Sequence, residues 1–169
     1  MHKIIAQPLS EAAFRKYGTY QNLLDDASMA NNSIRPAGFF PDLLTLNFGR
    51  DTLPSVCLCS IKKQEKRIIS FLEAHGRTCE GLLPIDADVI IYVGKPARTP
   101  ADYSVTDCES FIIPKGTFVK LNPLILHGTQ FTVDTDAAHI LCLLPERTFN
   151  NDMLAKRIEK DEDKAEIIL

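Results

Sequence analysis

Two histidines and two glutamates concentrate the chemistry of this chain. Glu73, His75 and Glu80 fall within the short stretch FLEAHGRTCEGLLP, and His127 follows after a turn at Pro114, Lys115 and Gly116, in an apolar, strand-rich background. Residues i and i+2 of a strand share a face, so Glu73 and His75 point the same way, and Glu80 rejoins them if Gly76 to Cys79 form a turn. His127 shares the parity of Val119 and Leu121, which turns it inward provided that no bulge intervenes across Pro123. Two imidazoles and a carboxylate on one face are the minimum set for holding a divalent transition metal with open positions, or for acid and base work on a small polar substrate.

Each residue also has a plainer reading. His75 and His127 can be core histidines satisfied by a neighbouring carboxylate, Glu73 can be surface, His2 is terminal, and His139 in DAAHILCLL reads as the start of a strand. Glu80, just before Gly81 and an apolar strand, is harder to explain as decoration. Lys62, Lys63, Lys66 and Arg67 cluster at the end of the run SVCLCSIKK, where most such clusters are solvated. If one such cation reaches the cavity mouth, its expected role is to hold a substrate carboxylate, with Lys63 the first candidate and Arg77, between His75 and Glu80, the second.

The elements that must position these groups are short. Residues 1–41 read as a clasp: a strand, Ser10 as an N-cap with Glu11 in the first turn, a helical turn carrying Phe14 and Tyr17, a stop at Gly18, and a long loop with at most one helical turn. Residues 42–149 carry repeated apolar and β-branched runs, DLLTLNFG, SVCLCSIKK, IISFLEA, EGLLPI, ADVIIYVG, SFIIP, TFVKLNP, TQFTVD and HILCLLPE, separated by turn formers. Many short strands without helical crossovers predict an antiparallel barrel or sandwich. Residues 150–169 read as an amphipathic helix capped by Asn150 or Asn151, with Met153, Leu154 and Ile158 on one face.

Composition narrows the function classes. A chain of 169 residues with 45% hydrophobic content is the size of one domain with a full core, and a net charge of −3 supplies no broad basic surface for a phosphate backbone. Nucleic acid is therefore not an expected partner. No apolar run approaches a bilayer's thickness and the start, MHKIIAQPLSE, lacks a signal-peptide core, so a cytoplasmic protein without a membrane partner is expected. The five cysteines, Cys57, Cys59, Cys79, Cys108 and Cys142, suit reduced thiols acting as small buried hydrophobes. Cys57 and Cys59 lack the second close pair that a soft-metal site requires.

Glu73-Ala74-His75, four residues, then Glu80, resembles the first cupin motif, H-x-H followed by E, with Glu73 in the place of the first histidine. Pro114-Lys115-Gly116 resembles the opening of the second cupin motif, P-x-G-x-x-H, with Val119 in the place of the histidine. Within the cupins the chain resembles the ureidoglycolate lyase family, formerly called ureidoglycolate hydrolase. The likeness lies in an LSxEAFxxYG-type start (Leu9, Ser10, Glu11, Phe14, Tyr17, Gly18), in Glu73, His75 and Pro84 with Glu80 replacing a glutamine, and in Leu126-His127 where the family has an aromatic before the histidine. It also fits uncharacterised cupin-like proteins with a late LP-x-x-T segment, here Leu144, Pro145 and Thr148.

The resemblance implies a mainly β, cupin-type double-stranded β-helix (a jelly-roll barrel) with a short N-terminal and a C-terminal helix, and a homodimer. It implies cleavage of ureidoglycolate, a small carboxylate, to glyoxylate and urea, as in allantoin and purine catabolism. His75 or His127 would be the base and Glu80 the orienting or proton-returning group; the residue pattern itself, and not the resemblance, offers Lys63, Arg77 and Glu73 as substrate-binding residues. One divalent transition metal (Zn, Mn, Fe or Ni) on His75, Glu80 and His127 is optional in that scheme. The alternatives are a metal-dependent cupin isomerase or oxygenase on a sugar or other small molecule, and a non-enzymatic ligand-binding barrel.

Overall fold

A computed structural model describes residues 1–30, 38–50 and 52–169. The chain folds into a mainly β structure with a nearly closed, barrel-like arrangement of sheets. A six-stranded sheet runs in the order β10 (Phe131–Thr132), β7 (Val89–Gly94), β8 (Cys108–Ile113), β1 (His2–Pro8), β13 (Ala165–Ile168) and β4 (Arg67–Ile69). A five-stranded sheet runs β2 (Gly18–Asn22), β9 (Thr117–Leu121), β6 (Glu80–Pro84), β11 (Ala137–Pro145) and β3 (Pro54–Lys62), and β12 (Met153–Arg157) pairs with β5 (Phe71–His75). Most pairings are antiparallel; β1 is parallel to both β8 and β13.

Alternation along the strands explains the layering. Leu82, Val119, Leu121, Ile140 and Cys142 of the five-stranded sheet meet Val89, Ile91, Val93, Phe111 and Ile113 of the six-stranded sheet in one core, which Phe14 and Tyr17 close at one side. The other face of the six-stranded sheet, with Ile4, Ile90 and Tyr92, packs on Leu72 and Ala74 of β5 in a second core. β7 is consequently buried at every position, as its unbroken apolar run VIIYVG requires. Each fully buried Leu or Ile here contributes about 1.5–3 kcal/mol.

The N-terminal clasp follows the sequence: strand β1, then α1 (Glu11–Phe14) after Ser10, then a stop at Gly18, although the Ser10 side chain makes no capping bond. The loop contains a single helical turn, α2 (Asp26–Met29), capped by the Asp25 carboxylate on the Ser28 N–H; the rest of that loop, residues 31–37, lies outside the described residues. Two expectations fail. DLLTLNFG is turn and coil instead of strand, because Asn47 forms a local turn onto Gly49 N–H and its carbonyl accepts from the backbone N–H and thiol of Cys79.

The C-terminal helix does not form either. Residues 148–151 make only the turn α3 (Thr148–Asn151), after which β12 pairs with β5 and β13 pairs with β1 and β4. Ala165 and Ile167 alternate into the core with period two, and the sheet partners on offer outweigh the helix propensity of the charged stretch between β12 and β13. That stretch is a solvated 3-10 turn, Asp161–Asp163, with Lys164 on Asp161.

Candidate metal centre

β5, β6 and the segment after β9 bring His75, Glu80 and His127 together. Leu72 and Ala74 pack in the second core, so strand alternation turns Glu73 and His75 to the opposite face. Gly76 to Cys79 make the expected return, and Glu80 opens β6. His127 arrives by a route that parity did not describe. β9 ends at Leu121, Leu124 takes a positive φ of 67°, and an isolated antiparallel bridge sets His127 opposite Glu73, with N–H donors and carbonyls exchanged at 2.8 and 2.9 Å.

The three residues are nearly sealed from solvent, at 3% (His75), 7% (Glu80) and 4% (His127) exposure. One ligand atom from each lies within 4.8 Å of the others. Glu80 Oε2 is 2.8 Å from His127 Nε2 and 3.5 Å from His75 Nε2, and Glu73 Oε1 stands 3.9 Å from His127 Nε2.

Both ring orientations are fixed from behind. His75 Nδ1 lies 3.0 Å from the Asp152 carbonyl oxygen and His127 Nδ1 lies 2.9 Å from that of Ile125. A carbonyl only accepts, so each Nδ1 carries a proton and donates it, and each Nε2 faces the shared space. This is the arrangement that orients metal-ligating histidines.

The contact between Glu80 and His127 is short but misaligned: neither Glu80 Oε2 nor His127 Nε2 has a properly directed hydrogen bond, although both are buried. Two orphaned polar atoms facing one point are costly unless a third group satisfies them. A divalent cation fits. Ligand atoms about 2.1 Å from one ion stand about 3.0 Å apart at a right angle and about 3.4 Å apart at a tetrahedral angle, close to the 2.8 and 3.5 Å separations that Glu80 makes. Two imidazoles and one carboxylate suit Zn, Mn, Fe or Ni and leave coordination positions open.

In the metal-free protein the cluster holds charge of both signs. Burial pulls the His127 imidazole down, but Glu80, helped by Glu73, outweighs this and raises its pKa to about 9. Burial pushes Glu80 up, and His127 with His75 overcomes this and lowers it to about 2. Glu73 is raised, chiefly by burial, with His127 pulling in the opposite sense.

The expected cations are not beside these ligands. Lys63 is exposed beyond the far end of β3, where its backbone N–H meets the Asp136 carbonyl. The Arg77 side chain is exposed and borders, with Arg50, Thr78 and Asp152, a cavity of about 210 Å³ behind the 76–79 turn. A cleft of about 600 Å³ between residues 101–106 and 156–163 touches none of Glu73, His75, Glu80 and His127, so side-chain convergence and not void volume marks this site. His139 pairs with Asp86 at the surface, in keeping with its place in a strand.

Sequence reasoning missed Asp152 and Phe149. The Asp152 carboxylate accepts from Gly76 N–H, Arg77 N–H and the Thr78 hydroxyl, fixing the whole turn between two ligands, and the Phe149 ring meets His75 edge-on. Both residues are more than seventy positions from the turn, and no local pattern links them to it. No protein-family model matches the chain, and no curated protein matches it.

Proposed function

We propose that this protein is a metal-dependent, cupin-type enzyme that cleaves a small hydroxy-carboxylate, and specifically ureidoglycolate, to glyoxylate and urea. The observation that carries the metal-dependent part is the pair of buried, misaligned atoms Glu80 Oε2 and His127 Nε2, with His75 Nε2 beside them. The lyase chemistry rests on the resemblance of the Leu9–Gly18 block and of Glu73, His75, Glu80 and His127 to the ureidoglycolate lyase family, and a cupin jelly roll agrees with the barrel-like sheets.

Ureidoglycolate is a carbinolamine, so a base takes the hydroxyl proton, the C–O bond becomes a carbonyl, and the C–N bond breaks with its electron pair going to a urea nitrogen that then gains a proton. A bound divalent cation would act as Lewis acid on the substrate oxygens. His75, Glu80 and His127 would hold it. With both histidine Nε2 atoms so engaged, the base is Glu73: its carboxylate is beside the cluster, partly open to solvent, and has a raised proton affinity. Glu73 then returns the proton to the leaving nitrogen.

The test is direct. Protein stripped with chelator and reloaded with Mn, Fe, Ni or Zn is incubated with ureidoglycolate, and glyoxylate is measured. No glyoxylate with any metal removes the lyase assignment. No bound metal by elemental analysis, together with no metal-induced rise in Tm, removes the metal centre. The ligand-binding alternative predicts that H75A and H127A leave binding of a small carboxylate intact.

A further inference from the structure

Two of the five cysteines face each other across a ladder. Cys57 of β3 and Cys142 of β11 are directly opposite in the antiparallel pairing, and both point to the inner face of the five-stranded sheet, against the first core. The rungs at Leu53–Glu146 and Lys63–Asp136 are hydrogen-bonded, and each lies an even number of residues from Cys57 and Cys142. Bonded and unbonded pairs alternate, so Cys57 and Cys142 form a bonded pair with Cα atoms about 5.5 Å apart. A disulfide spans about 4.4–6.8 Å between Cα atoms. Both thiols are free.

No other pairing of the five is placed in this way. Cys59 faces Ile140, and a diagonal such as Cys59 to Cys142 runs about 7–8 Å, beyond the reach of a disulfide without backbone movement. Cys57 and Cys59 stand side by side on one extended strand with parallel side chains that do not converge. Cys79 is held by the Asn47 carbonyl and Cys108 by that of Ser104, on other elements. Exposure sets the order of attack within the facing pair. Cys57 is half-buried, whereas Cys142 is 7% exposed, and burial together with Glu80 pushes the Cys142 thiol up, which makes it the poorer first target.

We propose that Cys57 and Cys142 are a modification site that a peroxide converts to a reversible disulfide, with Cys57 the attacked thiol and Cys142 the resolving one. The Cys57 sulfur attacks one peroxide oxygen, the O–O bond breaks, and water leaves with Cys57 as a sulfenic acid. The Cys142 sulfur then attacks the Cys57 sulfur, the S–O bond breaks, and the departing hydroxide takes the Cys142 proton as water. Two thiols give up two electrons and the peroxide gains them. Opposite residues keep their Cβ atoms as much as about 5.5 Å apart, against about 3.5–4.5 Å in a relaxed disulfide, so closure draws the strands together by about 1 Å. β3 ends the five-stranded sheet and can follow β11, and the strain left in the bond keeps it open to reduction. Neither sulfur belongs to the His75, Glu80 and His127 group, so the pair stands or falls independently of the metal centre.

Thiol counting and non-reducing peptide mapping of the folded full chain test the proposal. Untreated protein, denatured and labelled with a maleimide, should show five reactive thiols. After exposure to hydrogen peroxide and quenching with catalase, two of them should be lost, one cross-link should join the peptides of Cys57 and Cys142, and dithiothreitol should restore both thiols. C59S should form the same cross-link. C57S, changed at a half-buried position, should keep the wild-type circular dichroism and form none, and C142A, which replaces the buried thiol without adding a polar group, should likewise form none. Treated wild type that keeps all five thiols, a cross-link between any other two cysteines, a cross-link that persists in C57S, or a loss that dithiothreitol does not reverse would each overturn the proposal.

Discussion

Asp152 holds His75 through its carbonyl and the turn that follows His75 through its carboxylate. Its carbonyl accepts the His75 Nδ1 proton at 3.0 Å, and its carboxylate accepts the N–H groups of Gly76 and Arg77 and the hydroxyl of Thr78 at 2.9–3.1 Å. The pairing of β12 with β5, Met153 opposite His75, delivers Asp152 to that position. The strand that replaces the expected C-terminal helix is therefore what orients His75 and holds the turn leading to Glu80.

Replacing the carboxylate should loosen the centre. In D152A the carbonyl still accepts from His75, but three donors of the turn lose their acceptor, at a cost of about 1–3 kcal/mol. Because that turn sets the separation of His75 and Glu80, divalent-metal affinity should fall by about 10- to 100-fold. D152N keeps one acceptor oxygen for the two N–H groups and should recover part of the loss. Titration calorimetry with Zn or Mn separates the effects: equal affinities in wild type and D152A would leave Asp152 a purely structural residue.

Removing one ligand should abolish the response to metal without unfolding the chain. In E80Q the carboxylate charge goes but the shape stays, so the melting temperature should no longer rise on adding a divalent cation. Wild type should gain about 2.7 kcal/mol at a hundredfold excess over its dissociation constant. Differential scanning fluorimetry reads this, and an E80Q protein that still responds to metal places the ion elsewhere.

How much of this was legible in sequence depends on range. Strand alternation put Glu73 and His75 on one face, and the residues Gly76 to Cys79 suit the turn that returns Glu80, so both relationships lie within one hairpin-sized stretch. His127 joins the cluster by a path other than parity: the chain leaves β9 before it, and a bridge to Glu73 fixes it. Lys63 illustrates the opposite error. It is close to the cysteine-rich strand in sequence, yet β3 carries it to the other end of the sheet. The C-terminal stretch has helix-forming residues, and only the unpaired sides of β1 and β5, which the sequence does not display, make it strand.

Gly128 follows His127 and lies against Tyr92. A methyl group added there would overlap the Tyr92 hydroxyl, which is buried and donates to the Phe71 carbonyl at 2.8 Å at the start of β5. G128A should therefore destabilise by about 1–3 kcal/mol through overpacking. It should also weaken metal binding, since either Tyr92 releases the strand that carries Glu73 and His75 or the backbone beside His127 shifts. Y92F, which loses only the hydrogen bond, should cost about 1 kcal/mol. Urea unfolding of both variants tests the order, and a G128A protein as stable as Y92F would show that the site relaxes freely.

The metal-free protein should be most stable over a mildly acidic plateau. Glu80 has its pKa lowered from 4.5 to about 2, because His127 and His75 outweigh the burial that would raise it. The folded state thus binds its proton more weakly than the unfolded chain, and the stability contributed is present above 4.5 and lost as pH falls toward 2. His127 has its pKa raised from 6.5 to about 9 by Glu80, against the burial that would lower it. Its contribution is complete below 6.5 and is lost as pH rises through 9. Both limbs come from one ion pair, so E80Q should flatten them together. Chelator-treated wild type and E80Q, melted from pH 3 to pH 10 (a span of about seven units around the unperturbed values), decide the matter: an alkaline limb that survives in E80Q would mean that a group other than His127 produces it.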